Sequence, residues 1–116
     1  MGNPLDGMDP PPDSRAPPAG IAPDAPVLRG SFTIINVRGL HARAATKLVQ
    51  LATRYPCEII ISSPDGQEAN AKSLMGVLLL CGSVGTVIDV RARGPNAEHA
   101  IEAIGALIAD RFGEAE

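Results

Sequence analysis

Residues 86–93 alternate with a period of two: Ile88, Val90 and Ala92 fall on one face, Asp89, Arg91 and Arg93 on the other. That pattern predicts a strand with one buried and one solvated face. Upstream, 31–36 (Ser-Phe-Thr-Ile-Ile-Asn) is rich in β-branched residues and predicts a first strand. Over 42–55 the period changes. Ala45, Leu48, Val49 and Ala52 share one helical face, while Lys47, Gln50 and Arg54 lie elsewhere. Pro56 stops this helix, because a residue preceding proline is disfavoured in the helical region. Residues 57–62 contain Ile59-Ile60-Ile61 and predict a buried strand. Pro64-Asp65-Gly66 is turn chemistry, so 67–70 should return as a short antiparallel strand. Residues 73–80 form a short apolar helix, with Ser73 at its N-cap and Gly82 past its end. After Gly94-Pro95, Asn96 is placed to cap a last helix. Its expected buried face is Ala97, Ala100, Ile101, Ile104, Leu107, Ile108 and Phe112, and Glu98 in its first turn suits the helix dipole.

The element order is therefore β-α-β-β-α-β-α. Strands that are wet on one side imply an antiparallel sheet whose helices share the other face. The expected fold is an α+β, two-layer open-faced sandwich, with a four-stranded antiparallel sheet and three helices on one face.

Composition divides the chain. Eight of its 11 prolines lie at or before Pro26, with few large apolar residues between them. Such a segment buries too little surface to offset its ordering entropy. Residues 1–29 are expected to be a disordered Pro-rich tail, and 30–116 a single folded domain. Lys and Arg number 10 against 13 Asp and Glu, which argues against nucleic acid as a partner. The most apolar run, 74–81, is interrupted by Gly76 and is too short to span a membrane. Cys57 and Cys81 have no His or Cys at metal spacing and make no disulfide framework. They are expected to be buried apolar residues of a reduced, cytoplasmic protein, with no metal and no cofactor.

The chemistry concentrates in Gly39-Leu40-His41-Ala42-Arg43-Ala44-Ala45. A strand ends, a glycine permits a tight turn, and His41 falls where a helix begins. Free backbone N–H groups at a helix start, here Ala42 and Arg43, form an anion cradle. Arg43 adds a fixed positive charge. Both features favour the neutral, nucleophilic imidazole. Two readings remain from the residues alone: a histidine that binds or carries a phosphoryl group, or a cap histidine beside a surface arginine. His99 falls on the polar face of the last helix and is expected in solvent.

These residues resemble the HPr family, phosphocarriers of the bacterial sugar phosphotransferase system and its nitrogen-related branch. The family's site motif is G-L-H-x-R-P-A, and this chain reads G-L-H-A-R-A-A. A second motif, A-K-S-[LI]-[MF]-G-[VL], is similar to Ala71-Lys72-Ser73-Leu74-Met75-Gly76-Val77. The motif spacing, the element order and the closing turn Gly82-Ser83-Val84-Gly85 agree, and the resemblance covers about 31–114. It implies that His41 accepts a phosphoryl group from phospho-enzyme I, that Arg43 steadies it, and that His41 passes it to IIA-type acceptor proteins. It further implies that Ser73 is a regulatory phosphorylation site for HPr kinase/phosphorylase in the bacteria that have that enzyme. Ser73 is equally well read as a helix cap alone. Leu74, Met75 and Leu78 are expected to make an apolar docking surface beside His41. One departure stands out: the family's proline is Ala44 here, a residue that also suits a first helical turn.

Three other functions compete. A regulatory relative would bind targets according to phosphorylation state, without a role in sugar transport. An enzyme on a similar sandwich, such as an acylphosphatase, would use an Arg and an Asn to place phosphate and water. An inert interaction domain would have no reason to place His41 beside Arg43.

Overall fold

In a computed structural model, residues 25–80 and 82–116 are described. The elements are β1 (Val27–Thr33), α1 (Ala42–Ala52), β2 (Glu58–Ser62), β3 (Glu68–Asn70), α2 (Leu74–Leu79), β4 (Val87–Arg93) and α3 (Ala97–Ala109). A 3₁₀ turn, Arg111–Gly113, follows α3. The sheet order is β1-β4-β2-β3, and every neighbouring pair is antiparallel. The order and the α+β open-faced architecture are those the sequence predicts.

The alternation in β4 works as expected: Ile88, Val90 and Ala92 are buried, and with Ile59, Ile61 and Ala69 they form the inner face of the sheet. The helices cover that face with Ala45, Leu48, Val77, Ala100, Ile104 and Ile108. Burying an aliphatic side chain of this kind contributes about 1.5–3 kcal/mol. The outer face is wet and carries cross-strand polar pairs. Arg91 pairs with Glu68, and Arg93 Nη2 lies 3.1 Å from Glu58 Oε1. Ser31 Oγ donates to Asp89 at 2.5 Å.

Several boundaries move, each for a local reason. β1 runs over Val27–Thr33 rather than 31–36, because β4 sets its length: the register runs from Val27↔Arg93 to Thr33↔Val87. β1 thus starts within the stretch 1–29 expected as a tail. Residues 1–24 of that stretch lie outside the described residues. β2, β3 and β4 each begin one residue late. α1 ends at Ala52, three residues early. There the bonding tightens to Arg54 N→Leu51 O and Tyr55 N→Ala52 O, both 3.1 Å, ahead of Pro56. Asn96 stands at the N-cap of α3 but does not cap it. It is left-handed (φ +62°) with no side-chain capping bond, and Ala97 N bonds instead to Gly94 O at 3.2 Å. Phe112 is buried as expected, but from the 3₁₀ turn rather than from α3.

Candidate functional site

The loop that delivers His41 is fixed by backbone contacts. Past β1 the chain turns at 36–39, with Gly39 N donating to Asn36 O at 3.1 Å. Gly39 has φ +66° and is packed so closely on Gly82 that a Cβ would collide with the Gly82 carbonyl oxygen. The next amide, Leu40 N, donates to that same oxygen at 2.7 Å. His41 follows as the N-cap of α1, with extended backbone (φ −74°, ψ 176°), and its carbonyl accepts the first helical bond from Ala45 N at 2.8 Å. Its Nδ1 accepts from Arg43 N at 3.3 Å, the role a Ser or Asp oxygen fills at other helix starts. Ala44 and Ala45 behind it are fully buried, so the first turn is anchored in the core.

The other ring nitrogen, Nε2, meets the carboxylate of Glu114. Glu114 Oε1 also accepts from Asn36 Nδ2 at 2.9 Å. Asn36 is completely buried, and the same Nδ2 donates to Gly39 O at 2.8 Å. These bonds, that from Asn36 foremost, hold the Glu114 carboxyl below the ordinary glutamate range, with Arg38 adding positive field. A tight reversal after α3 brings Glu114 here. Arg111, Phe112 and Gly113 all have positive φ (56°, 54° and 77°). Lys47 Nζ donates to Phe112 O at 2.5 Å, and Phe112 is buried. Val37 N donates to Glu116 O at 2.8 Å, which holds the last residues across the loop.

Sequence reasoning missed both Asn36 and Glu114. In sequence Asn36 reads as the end of a strand; its signal is the Asn-x-x-Gly spacing of a turn. Glu114 lies 73 positions from His41 and had no local signal.

The other expected residues are placed as follows. Arg43 and Ala42 are exposed on the first turn of α1. The Arg43 N–H of the expected cradle is occupied by the imidazole itself. Ser73 is exposed at the N-cap of α2, where its Oγ accepts from Gly76 N at 3.2 Å. α2 packs beside α1. Leu74 (42% exposed) and Met75 (67%) are open to solvent as expected. Leu78 is not: it is half-buried against the core, and its neighbour Leu79 (65%) faces out. With Val77 and Leu80 both buried and Leu78 half-buried, Leu79 is the residue of 77–80 that points outward. Ile35, Val37 and Val84 are further exposed apolar side chains in the loops flanking His41. His99 is exposed as expected. Cys57 is buried, and that burial pushes its thiol above the ordinary value; Cys81 lies outside the described residues. No helix among the described residues is long and apolar enough to cross a membrane.

A family model described as the PTS HPr component phosphorylation site matches residues 28–110. The phosphocarrier protein HPr of Cupriavidus necator is 43% identical over 90 residues, covering 78% of this chain and all of that protein. The phosphocarrier protein HPr of Xylella fastidiosa is 44% identical over 88 residues, covering 76% of this chain and 98% of its own length. Among solved structures, an HPr crystal structure from Thermoanaerobacter tengcongensis aligns with a TM-score of 0.73 at 38% identity. It covers 77% of this chain and 99% of that one.

Proposed function

The chain belongs to the HPr family of phosphotransferase-system phosphocarriers, and from that premise we propose that it accepts a phosphoryl group on Nδ1 of His41 from phospho-enzyme I and passes it to IIA-type acceptor proteins. One observation carries the reading: Nδ1 sits at the start of an 11-residue helix and accepts a backbone N–H there. A ring nitrogen that accepts a hydrogen bond is unprotonated, and the unprotonated nitrogen is the nucleophilic one. When phosphorus arrives, the Arg43 N–H exchanges Nδ1 for a phosphoryl oxygen, with the positive end of the α1 dipole behind it. The exposed Arg43 side chain supplies charge compensation. Transfer between two ring nitrogens asks for positioning and charge rather than further covalent chemistry from the carrier. The Nδ1 lone pair attacks phosphorus, the donor P–N bond breaks, and its electron pair returns to the donor ring.

The exposed apolar side chains Leu74, Met75 and Leu79 on α2, with Ile35, Val37 and Val84 in the adjacent loops, suit docking of these partners in the cytoplasm. Ser73, exposed at the start of α2, is the proposed site of regulatory phosphorylation. A phosphate there would add about two negative charges beside an apolar docking face. The regulatory alternative, target binding by phosphorylation state without sugar transport, uses the same His41 and Ser73. It predicts carrier phosphorylation without onward transfer.

The deciding experiment is incubation with phosphoenolpyruvate and enzyme I, read by intact mass. We expect the gain of one acid-labile phosphate in the wild type and none in His41→Ala, with the fold retained because His41 lies at a partly exposed helix start. Full labelling of His41→Ala would remove His41 as the acceptor.

A further inference from the structure

We propose that Glu114, held by Asn36, is a positioning residue for phosphoryl transfer: it keeps the His41 proton on Nε2, leaves Nδ1 unprotonated, and faces the ring's positive charge once Nδ1 carries phosphorus. The transfer half of this proposal rests on the phosphocarrier reading above. The tautomeric half rests on geometry alone.

An ionised carboxylate only accepts hydrogen bonds, so the ring atom facing Glu114 must carry the proton. On the other side Arg43 N–H only donates, so Nδ1 must carry the lone pair. Both neighbours select the same tautomer. The carboxylate is itself oriented from behind. Asn36 presents its amide nitrogen to two acceptors, Gly39 O and Glu114 Oε1, which fixes which way that buried amide points. The reversal at 111–113 places non-glycine residues in left-handed conformations, a local cost of about 1–2 kcal/mol each that the surrounding packing must over-determine. The buried Phe112 ring, the Lys47 bond to its carbonyl, and the bond from Val37 N to Glu116 O secure that reversal. The product of this arrangement is a carboxylate placed on Nε2.

The step balances without proton movement at His41. As the Nδ1–P bond forms and the donor P–N bond breaks, the ring keeps its Nε2 proton and becomes cationic. Glu114 then opposes that charge, with Arg38 and Arg43 the cations nearest in the loop and helix. When phosphorus leaves for an acceptor, the P–N electron pair returns to Nδ1 and the ring is neutral again.

Two substitutions separate this role from that of a mechanical clamp. In Glu114→Gln the side-chain oxygen is matched to the Asn36 amide nitrogen, which the bond to Gly39 O keeps turned toward position 114. The Gln amide nitrogen then faces Nε2 with a donor, so the Nε2 proton meets donor–donor repulsion and the ring is pulled between that amide and the Arg43 N–H, which still favours the lone pair on Nδ1. Glu114→Ala removes the carboxylate but leaves the Arg43 N–H alone to select the productive tautomer. We therefore expect Gln to slow phosphorylation by phospho-enzyme I at least about tenfold, and more than Ala, since a wrong tautomer disables a histidine nucleophile. A clamp predicts the reverse order, with the near-isosteric Gln close to wild type. Ring ¹⁵N NMR of the free protein, at a pH where the imidazole is neutral, should show the proton on Nε2 in the wild type and a tautomer population shifted toward Nδ1–H in Glu114→Gln. Melting temperatures establish that both variants are folded. Wild-type rates in Glu114→Gln, or a wild-type ring protonated on Nδ1, overturn the proposal. If the wild type takes no phosphoryl group from phospho-enzyme I, the phosphocarrier reading and the transfer half fall together, and the NMR result still decides the tautomeric half.

Discussion

Gly39→Ala tests how His41 is held, and its cost can be worked from the backbone. Gly39 has φ +66°, where an L side chain is disfavoured by about 1–2 kcal/mol. Beyond that, a Cβ would collide with the Gly82 carbonyl oxygen and lie 2.9 Å from Ser83 Cα. Both obstacles are backbone atoms and cannot rotate away. The only relief is to part the two loops, which stretches the 2.7 Å bond from Leu40 N to Gly82 O. Weakening that bond adds about 1 kcal/mol, for a total of roughly 2–3 kcal/mol. Gly66→Ala is the internal control. It also has positive φ (91°), but no atom lies within 4 Å of its Cβ position, so only the conformational cost applies. At about 4–8 °C per kcal/mol for a domain of this size, Gly39→Ala should lower Tm by roughly 10–25 °C, about twice the fall in Gly66→Ala. Scanning calorimetry of the three proteins measures it. Phosphorylation of Gly39→Ala, assayed well below its Tm, should also be slower, because His41 is only two residues on. Equal falls in Tm for the two variants would refute the argument that contact with Gly82 positions the loop.

Two further outcomes follow from the same contacts. Ser73→Asp should keep the cap of α2 and raise the apparent KM for enzyme I, since the new charge must be desolvated on docking, whereas Ser73→Ala should transfer normally at a stability cost of about 1 kcal/mol; steady-state kinetics and Tm check both, and unchanged kinetics in Asp would leave Ser73 as a cap alone. Stability should also fall at both ends of the pH scale. Glu114, depressed below its ordinary 4.5, contributes fully above that pH and loses its contribution as pH drops through the lower folded value. Cys57, raised above 9.0, contributes fully below that pH and loses it as pH rises through the folded value. A plot of Tm against pH should keep its acid limb in Cys57→Ala while the alkaline limb shrinks.

The sequence made the element order legible because its periods are local. Three isoleucines, an alternating strand and two amphipathic helices each state their own geometry. Boundaries were less legible wherever a distant partner sets them. Val27 to Gly30 carries no alternation of its own and is strand because β4 extends that far. In α2, Leu78, Leu79 and Leu80 follow one another, so composition could not say which leucine faces out; the positions of α1 and β3 decide it. His41 and Arg43 were legible because the turn, the nucleophile and the helix start are contiguous. Asn36 and Glu114 were not, since the carboxylate arrives through a reversal built by Phe112 and Lys47, residues 65 positions apart.

A carrier must make one nitrogen nucleophilic enough to take phosphorus and then make the same bond easy to break. On the proposed reading, the two sides of the His41 ring divide that labour. Nδ1 accepts the Arg43 backbone N–H beside the exposed Arg43 side chain, groups that attract phosphoryl oxygens without forming a covalent trap. Nε2 faces Glu114, so on the reading above the phosphorylated ring stays protonated, and a protonated ring is the better leaving group. The imidazole also stands between the carboxylate and the phosphoryl group. That placement limits direct repulsion between the two anions while letting the carboxylate act through the ring. A carboxylate on the Nδ1 side would repel the incoming group. A neutral amide on the Nε2 side would set a donor against the Nε2 proton and weaken the tautomer that the Arg43 N–H favours. Among simple side chains at position 114, an acid held from behind by the Asn36 amide nitrogen meets both demands.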